Sequence, residues 1–157
     1  MKAEHLNAFI EATQETFLSM CNITFHRCGE IRKVGGEIVS ADDLMAICGL
    51  TGDVKGAVML TTPLDTGMKL VGSFLMEEIE TVNCDLMDGW GEIVNIIAGA
   101  ADAKINEYRI DLSLPSVVLG KSARFYAKAG NPFFIAPMHI KDIGSFNLGV
   151  SMELPKK

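Results

Sequence analysis

At 157 residues the chain is sized for one domain, with roughly two-thirds of its unfolded surface available for burial. Its 48% apolar and 22% charged content excludes disorder, collagen-like repeats and low complexity. The net charge of −6, with lysines and arginines scattered, excludes the basic patch of a nucleic-acid or anionic-membrane binder.

The N-terminal segment, about 3–20, spaces Leu6, Phe9, Ile10, Thr13, Phe17 and Met20 as a helical stripe. Glu4, Glu11 and Glu15 interrupt it too often for the apolar core of a secretory signal. An extended stretch, Ile23–Arg27, follows. Residues 44–62 read as two strands around the turn Gly52-Asp53. Pro63 opens a helix over about 64–76, since proline is tolerated in a first helical turn. Asp85 and Asp88 favour the start of a further helix that runs to about Tyr108. Strands are expected over about 110–119, 132–140 and 145–152. The longest run without acidic or basic side chains, Ala129–Ile140, has 12 residues and two prolines, short of the roughly 20 that span a bilayer. A cytoplasmic protein with no membrane partner is therefore expected.

This order, α-β-β-β, one inserted helix, then α-β-β-β, suggests a duplication. Aligning Glu4-x-x-Asn7 with Glu92-x-x-Asn95 starts the next strand about 16 residues after each asparagine and places a hairpin turn 45–48 residues after it. The fold class expected is α+β: a mostly antiparallel sheet of about six strands, helices on one face, and a pseudo-twofold repeat.

Several motifs fail on inspection. Gly49–Gly56 and Gly120–Ala123 resemble phosphate loops. The first has Gly56 after Lys55 where Ser or Thr is needed, and the second has Pro115 where its first glycine belongs, so both read as turns. His5, His26 and His139 lie near no nucleophile signature. Cys21, Cys28, Cys48 and Cys84 have no CxxC spacing and read as reduced, buried thiols. Cys21-x4-His26-x-Cys28 is half of a metal site at best, because strand alternation would not point all three side chains one way. No metal ligand set is assigned.

The segment Gly89–Ile105 carries the strongest helical period. Trp90, Val94, Ile97, Ala101, Ile105 and Tyr108 share one face, with Ile93 at its edge. Asp88, Glu92, Asn95, Gly99, Asp102 and Asn106 share the other. Gly89, Gly91 and Gly99 each weaken a helix by about 1 kcal/mol relative to alanine. A solvated face gains nothing from that, whereas close approach by another backbone does. Glu92 and Asn95, three apart, project side by side. The asparagine amide offers a donor and an acceptor on one rigid group, suited to orienting water. In phosphoryl transfer such positioning is a large share of catalysis. The helix lacks a phosphoryl group and a metal, so a partner must bring them.

These residues resemble the CheX-type chemotaxis phosphatases of the CheC/CheX superfamily. The resemblance rests on Gly91–Gly99 as the family's G-E-x-x-N-x-x-x-G helix, on Leu114–Lys121, on Asn7–Ala12 and on the Gly49–Leu60 hairpin. It implies one CheX-like domain over 1–157 that hydrolyses the aspartyl phosphate of a CheY-type response regulator. It further implies that Asn95 positions the attacking water, that Glu92 pairs with a regulator lysine, and that Asp88, Gly99 and Asp102 line the docking face. Magnesium would belong to the phosphorylated regulator, so no cofactor is expected on this chain, and a homodimer joined through the sheets is. The alternative is a noncatalytic module that binds a receiver domain and sequesters it. At Glu4-x-x-Asn7 no glycine precedes Glu4 and Glu11 stands where Gly99 follows Asn95, so a second site there would be obstructed.

Overall fold

The computed structural model describes residues 1–156. Helix α1 spans Ala3–Cys21, and the short strands β1 (His26–Arg27), β2 (Arg32–Val34) and β3 (Glu37–Ser40) follow. Strands β4 (Leu44–Gly52) and β5 (Lys55–Thr62) form the expected hairpin, whose turn needs glycine because Gly52 sits at φ 94°. Helices α2 (Leu64–Leu75) and α3 (Cys84–Lys104) come next. Strands β6 (Ile110–Leu112), β7 (Ser116–Leu119), β8 (Arg124–Ala127), β9 (Phe133–Ile140) and β10 (Gly144–Glu153) complete the order.

The main antiparallel sheet has eight strands in six columns, with β9-β10-β5-β4 at its centre. One outer column holds β1 and β2, both paired to β9, and the other holds β6 and β7, both paired to β4. Six was therefore the number of columns, not of strands. The expected strand over 110–119 is broken at Ser113–Pro115, since proline cannot donate to a ladder. Strands β2, β3 and β8 carried no alternation long enough to read from sequence. The two halves are interlocked: the first half's opening strands edge the second half's hairpin, and the second half's opening strands edge the first's.

Alternation along the strands sorts the two faces. Leu44, Ala46, Cys48 and Leu50 of β4, Val58 and Leu60 of β5, and Phe146, Leu148 and Val150 of β10 point into one core with the helices. The opposite face has its own smaller core, where Val39 and Ala127 of the two-stranded β3–β8 ribbon cover Met45, Met59 and Ile135. Helices occupy one face, as expected. The second face is capped by a ribbon that the sequence did not reveal.

Helix α1 buries Leu6, Phe9, Thr13, Phe17 and Cys21, and Met20 turns outward instead. Helix α3 begins earlier than Asp85 or Asp88 indicated: Asn83 is its N-cap, its side chain accepting from the Leu86 amide at 2.9 Å. It also ends at Lys104 rather than Tyr108. The Asp53 carboxylate accepts from the Arg109 amide at 2.9 Å, and the Asp53 amide donates to the Arg109 carbonyl at 2.9 Å, drawing the chain off the helix into β6. Asn106 is thereby removed from the helical face. None of the described helices is long and apolar enough to cross a membrane.

Candidate functional site on helix α3

Helix α3 is fixed by its core face. Leu86, Trp90, Ile93, Val94, Ile97 and Ala101 are fully buried; Ile93 is within that face, not at its edge. The opposite side presents Asp88 and Glu92 exposed and Asn95, Gly99 and Asp102 half-buried. All five predicted site residues thus share one face. Among the described residues, the side chains of Glu92 and Asn95 take part in no hydrogen bond or ion pair, while those of Asn83 and Lys104 both do.

The three glycines separate into two roles. A Cβ on Gly89 would meet Val71 Cγ1 of α2 at 2.6 Å, and one on Gly91 would meet Val117 Cγ2 at 3.1 Å and Pro115 Cγ at 3.5 Å. Both are packing glycines that let neighbouring elements close on α3. A Cβ on Gly99 would have nothing within 4 Å. Only Gly99 fits the expectation of a helix face kept low toward the outside. Gly99→Ala should therefore raise stability by up to about 1 kcal/mol through helix propensity. Gly89→Ala should lower it by about 1–2 kcal/mol once the clash with Val71 is set against the same gain. Urea unfolding of the two variants checks the difference in sign.

The second Glu-x-x-Asn is engaged differently. Glu4 lies in the first turn of α1 and pairs with Lys2 at 2.9 Å; Lys2 also reaches Glu107 at 3.1 Å. The Glu4 carboxylate first, and Glu107 with it, raise the Lys2 ammonium above its ordinary range, and Lys2 in turn holds the Glu107 carboxyl below its own. Glu4, His5 and Glu107 bring potential ligand atoms within 4.8 Å of one another, with the Lys2 ammonium already on both carboxylates. His5 Nδ1 accepts from the Lys2 amide at 3.4 Å, so the ring closes the first turn of α1. Further along, Lys104 of α3 meets Glu15 at 2.8 Å and Glu11 at 3.9 Å, and the Glu15 hydrogen bond chiefly raises the Lys104 ammonium. The position matching Gly99 is thus filled by the long side chain of Glu11, beside the Glu15–Lys104 pair that ties α1 to α3.

The cysteines are all free, but only Cys21 and Cys48 are buried; Cys28 and Cys84 are exposed, against expectation. Burial pushes the Cys21 thiol up to about 11 and also raises Cys48, which suits structural rather than nucleophilic roles. Cys21 closes the core stripe of α1 while Cys28 lies in the open beyond β1, so the Cys21–His26–Cys28 cluster is not assembled. An open groove of about 770 Å³ runs along α2, lined by Asp65, Met68, Met76 and Ile143, and neither Glu92 nor Asn95 lines it. None of the described grooves is lined by Glu92, Asn95 or Gly99, so the α3 face is an open helix surface. It suits a surface of another macromolecule, not an enclosed small molecule.

Comparison with solved structures places the fold. Chemotaxis protein CheX from Desulfovibrio desulfuricans matches at TM-score 0.84 and 24% identity, covering 96% of this chain and 99% of that one. A CheC-like superfamily protein from Shewanella sp. PV-4 matches at TM-score 0.85 and 21% identity, covering 98% and 99%. The CheX chain of the CheX–CheY–BeF3–Mg2+ complex from Borrelia burgdorferi matches at TM-score 0.77 and 18% identity, covering 97% and 99%. No curated protein sequence matches the chain significantly. The family model described as chemotaxis phosphatase CheX matches residues 44–139, a span that contains α3 with Glu92 and Asn95. With that match over more than half its length, the chain belongs to the CheX family.

Proposed function

We propose that this protein hydrolyses the aspartyl phosphate of a CheY-type response regulator, working from the exposed face of α3. The observation that carries the reading is the Glu92–Asn95 pair itself. Both side chains are free of internal partners, on a helix immobilised by a buried face, with open space above Gly99. The Borrelia complex of a CheX with CheY supports the class of partner.

In this reading Asn95 enters the regulator's active site and its amide orients a water molecule in line with the acyl phosphate. The water oxygen bonds to phosphorus as the bond to the aspartyl oxygen breaks. The aspartyl carboxylate leaves, and both of the water's protons go with the phosphate product, as dihydrogen phosphate that equilibrates with solvent. Glu92, displaced around the helix from Asn95, pairs with a lysine of the regulator and fixes the docking register. Asp88 and Asp102 flank the pair, and Gly99 admits the partner's backbone. Magnesium is the regulator's, and this chain contributes side chains alone. A homodimer is part of the proposal: Ile38 and Tyr126, opposite each other on the ribbon, are 67% and 61% exposed and offer an apolar contact.

Decay of the phosphorylated regulator with and without the protein tests the reading. Acceleration that saturates with regulator concentration is expected. Complex formation without faster decay would instead assign a sequestering module. Glu92→Ala should raise the half-saturating regulator concentration about tenfold or more and change the maximal rate less, because it removes binding shared by ground and transition states. Equal loss in both parameters would move Glu92 from docking to chemistry.

A further inference from the structure

We propose that Leu114 is an apolar anchor for the regulator's receiver domain, standing at the Asn95 side of the α3 site. The inference rests on the docking reading above and adds a contact outside the helix.

Leu114 is 90% exposed, on the short loop where the sheet's outer column breaks between β6 and β7. The loop is tightly held. The Ser113 amide donates to the Gly49 carbonyl at 3.0 Å, the Gly49 amide donates to Ser113 Oγ at 2.8 Å, and Ser113 Oγ donates to the Leu114 carbonyl at 3.0 Å. Cys48 Sγ adds a contact to the Ser113 carbonyl at 3.2 Å. Pro115 fixes its own φ and confines Leu114 to extended backbone. A large apolar side chain is therefore held out in water by a rigid loop, an arrangement that contributes nothing to the isolated fold. Strand irregularities of this kind recur beside functional sites, where they re-aim a side chain.

Its position relative to α3 follows from Gly91. The missing Cβ of Gly91 is what lets Pro115 and Val117 rest on the helix. Asn95 follows Gly91 by one turn, about 6 Å along the axis and about 40° around it, whereas Glu92 lies about 100° around. The loop thus stands on the Asn95 flank and Glu92 lies on the far flank. A receiver domain seated over Asn95 meets a charge on one side and a preformed apolar contact on the other. Because the loop is already ordered, little conformational freedom is lost when it is covered.

The test measures dephosphorylation against regulator concentration for wild type, Leu114→Ala and Leu114→Met. Leu114→Ala is expected to raise the half-saturating concentration about tenfold, with the maximal rate within about twofold and the thermal midpoint unchanged. Leu114→Met should restore most of the affinity. Unchanged half-saturation overturns the proposal, as does a change in self-association that accounts for the loss. If wild type accelerates no decay, the catalytic reading fails separately. Calorimetric binding of the beryllofluoride-bound regulator then decides on Leu114: a tenfold weaker Leu114→Ala supports the anchor, and equal or absent binding overturns it.

Discussion

Asn95→Ala is expected to return decay of the phosphorylated regulator to its spontaneous rate, a loss of about 100-fold or more in the accelerated component. The magnitude follows from the role assigned. An amide that holds water in line with phosphorus works by position, and alanine leaves nothing to hold it. The fold should not suffer. Asn95 is half-buried, its side chain is hydrogen-bonded to no other described residue, and alanine is the better helix former by up to about 0.7 kcal/mol. The thermal midpoint should therefore hold or rise while activity disappears. Complex formation with the beryllofluoride-bound regulator should survive within about tenfold, because Glu92 and the rest of the face are intact. Undiminished dephosphorylation by this variant would remove Asn95 from the mechanism.

Trp90→Ala, five residues earlier on the same helix, should do the reverse: stability falls by about 3–5 kcal/mol. Trp90 is 0% exposed and is the largest of the fully buried side chains. Its indole nitrogen has no hydrogen-bond partner among the described residues, so truncation removes volume and apolar contact rather than a bond. The loss is a large share of the roughly 5–15 kcal/mol that holds a domain of this kind together. A fall of more than about 1 M in the urea midpoint is expected, followed by circular dichroism because Trp90 is the chain's one tryptophan. Residual folded protein should keep its maximal rate per folded molecule. A midpoint within about 0.3 M of wild type would mean that α3 is not anchored through this side chain.

These two variants mark how the sequence encodes its helix. The buried stripe Trp90, Val94, Ile97, Ala101 and the polar stripe Asp88, Glu92, Asn95, Gly99, Asp102 are legible because the 3.6-residue period converts spacing directly into direction. The same holds for the Gly52 hairpin and the β9–β10 pair, long strands with clear turn chemistry. The ends of elements slip more easily. The start of α3 is set by a local cap, Asn83 on the Leu86 amide, that competed with Asp85 and Asp88 in the sequence, and its end by the distant Asp53–Arg109 bonds. The strands β2, β3 and β8, three or four residues each, carry too few alternations to show a period.

The glycines show the limit of sequence most clearly. Gly89, Gly91 and Gly99 look alike in the chain, each a helix weakened by the same amount. Only packing separates them, because Val71 comes from another helix and Pro115 and Val117 from the sheet's outer column, all brought in by tertiary contacts. The same contacts place Leu114 beside the site, a residue that no spacing along α3 could reveal. By itself the sequence determined the face of α3, its polar pair, the hairpins and the duplicated order of elements, since all of these follow from local period and turn chemistry. The interlocking of the two halves, the ribbon over the second sheet face, the separate fates of the three glycines and the clamp that occupies the Glu4-x-x-Asn7 region were decided only in three dimensions. Each depends on which distant segments come to share an edge or a surface, and that is fixed by burial of the whole core rather than by any stretch of it.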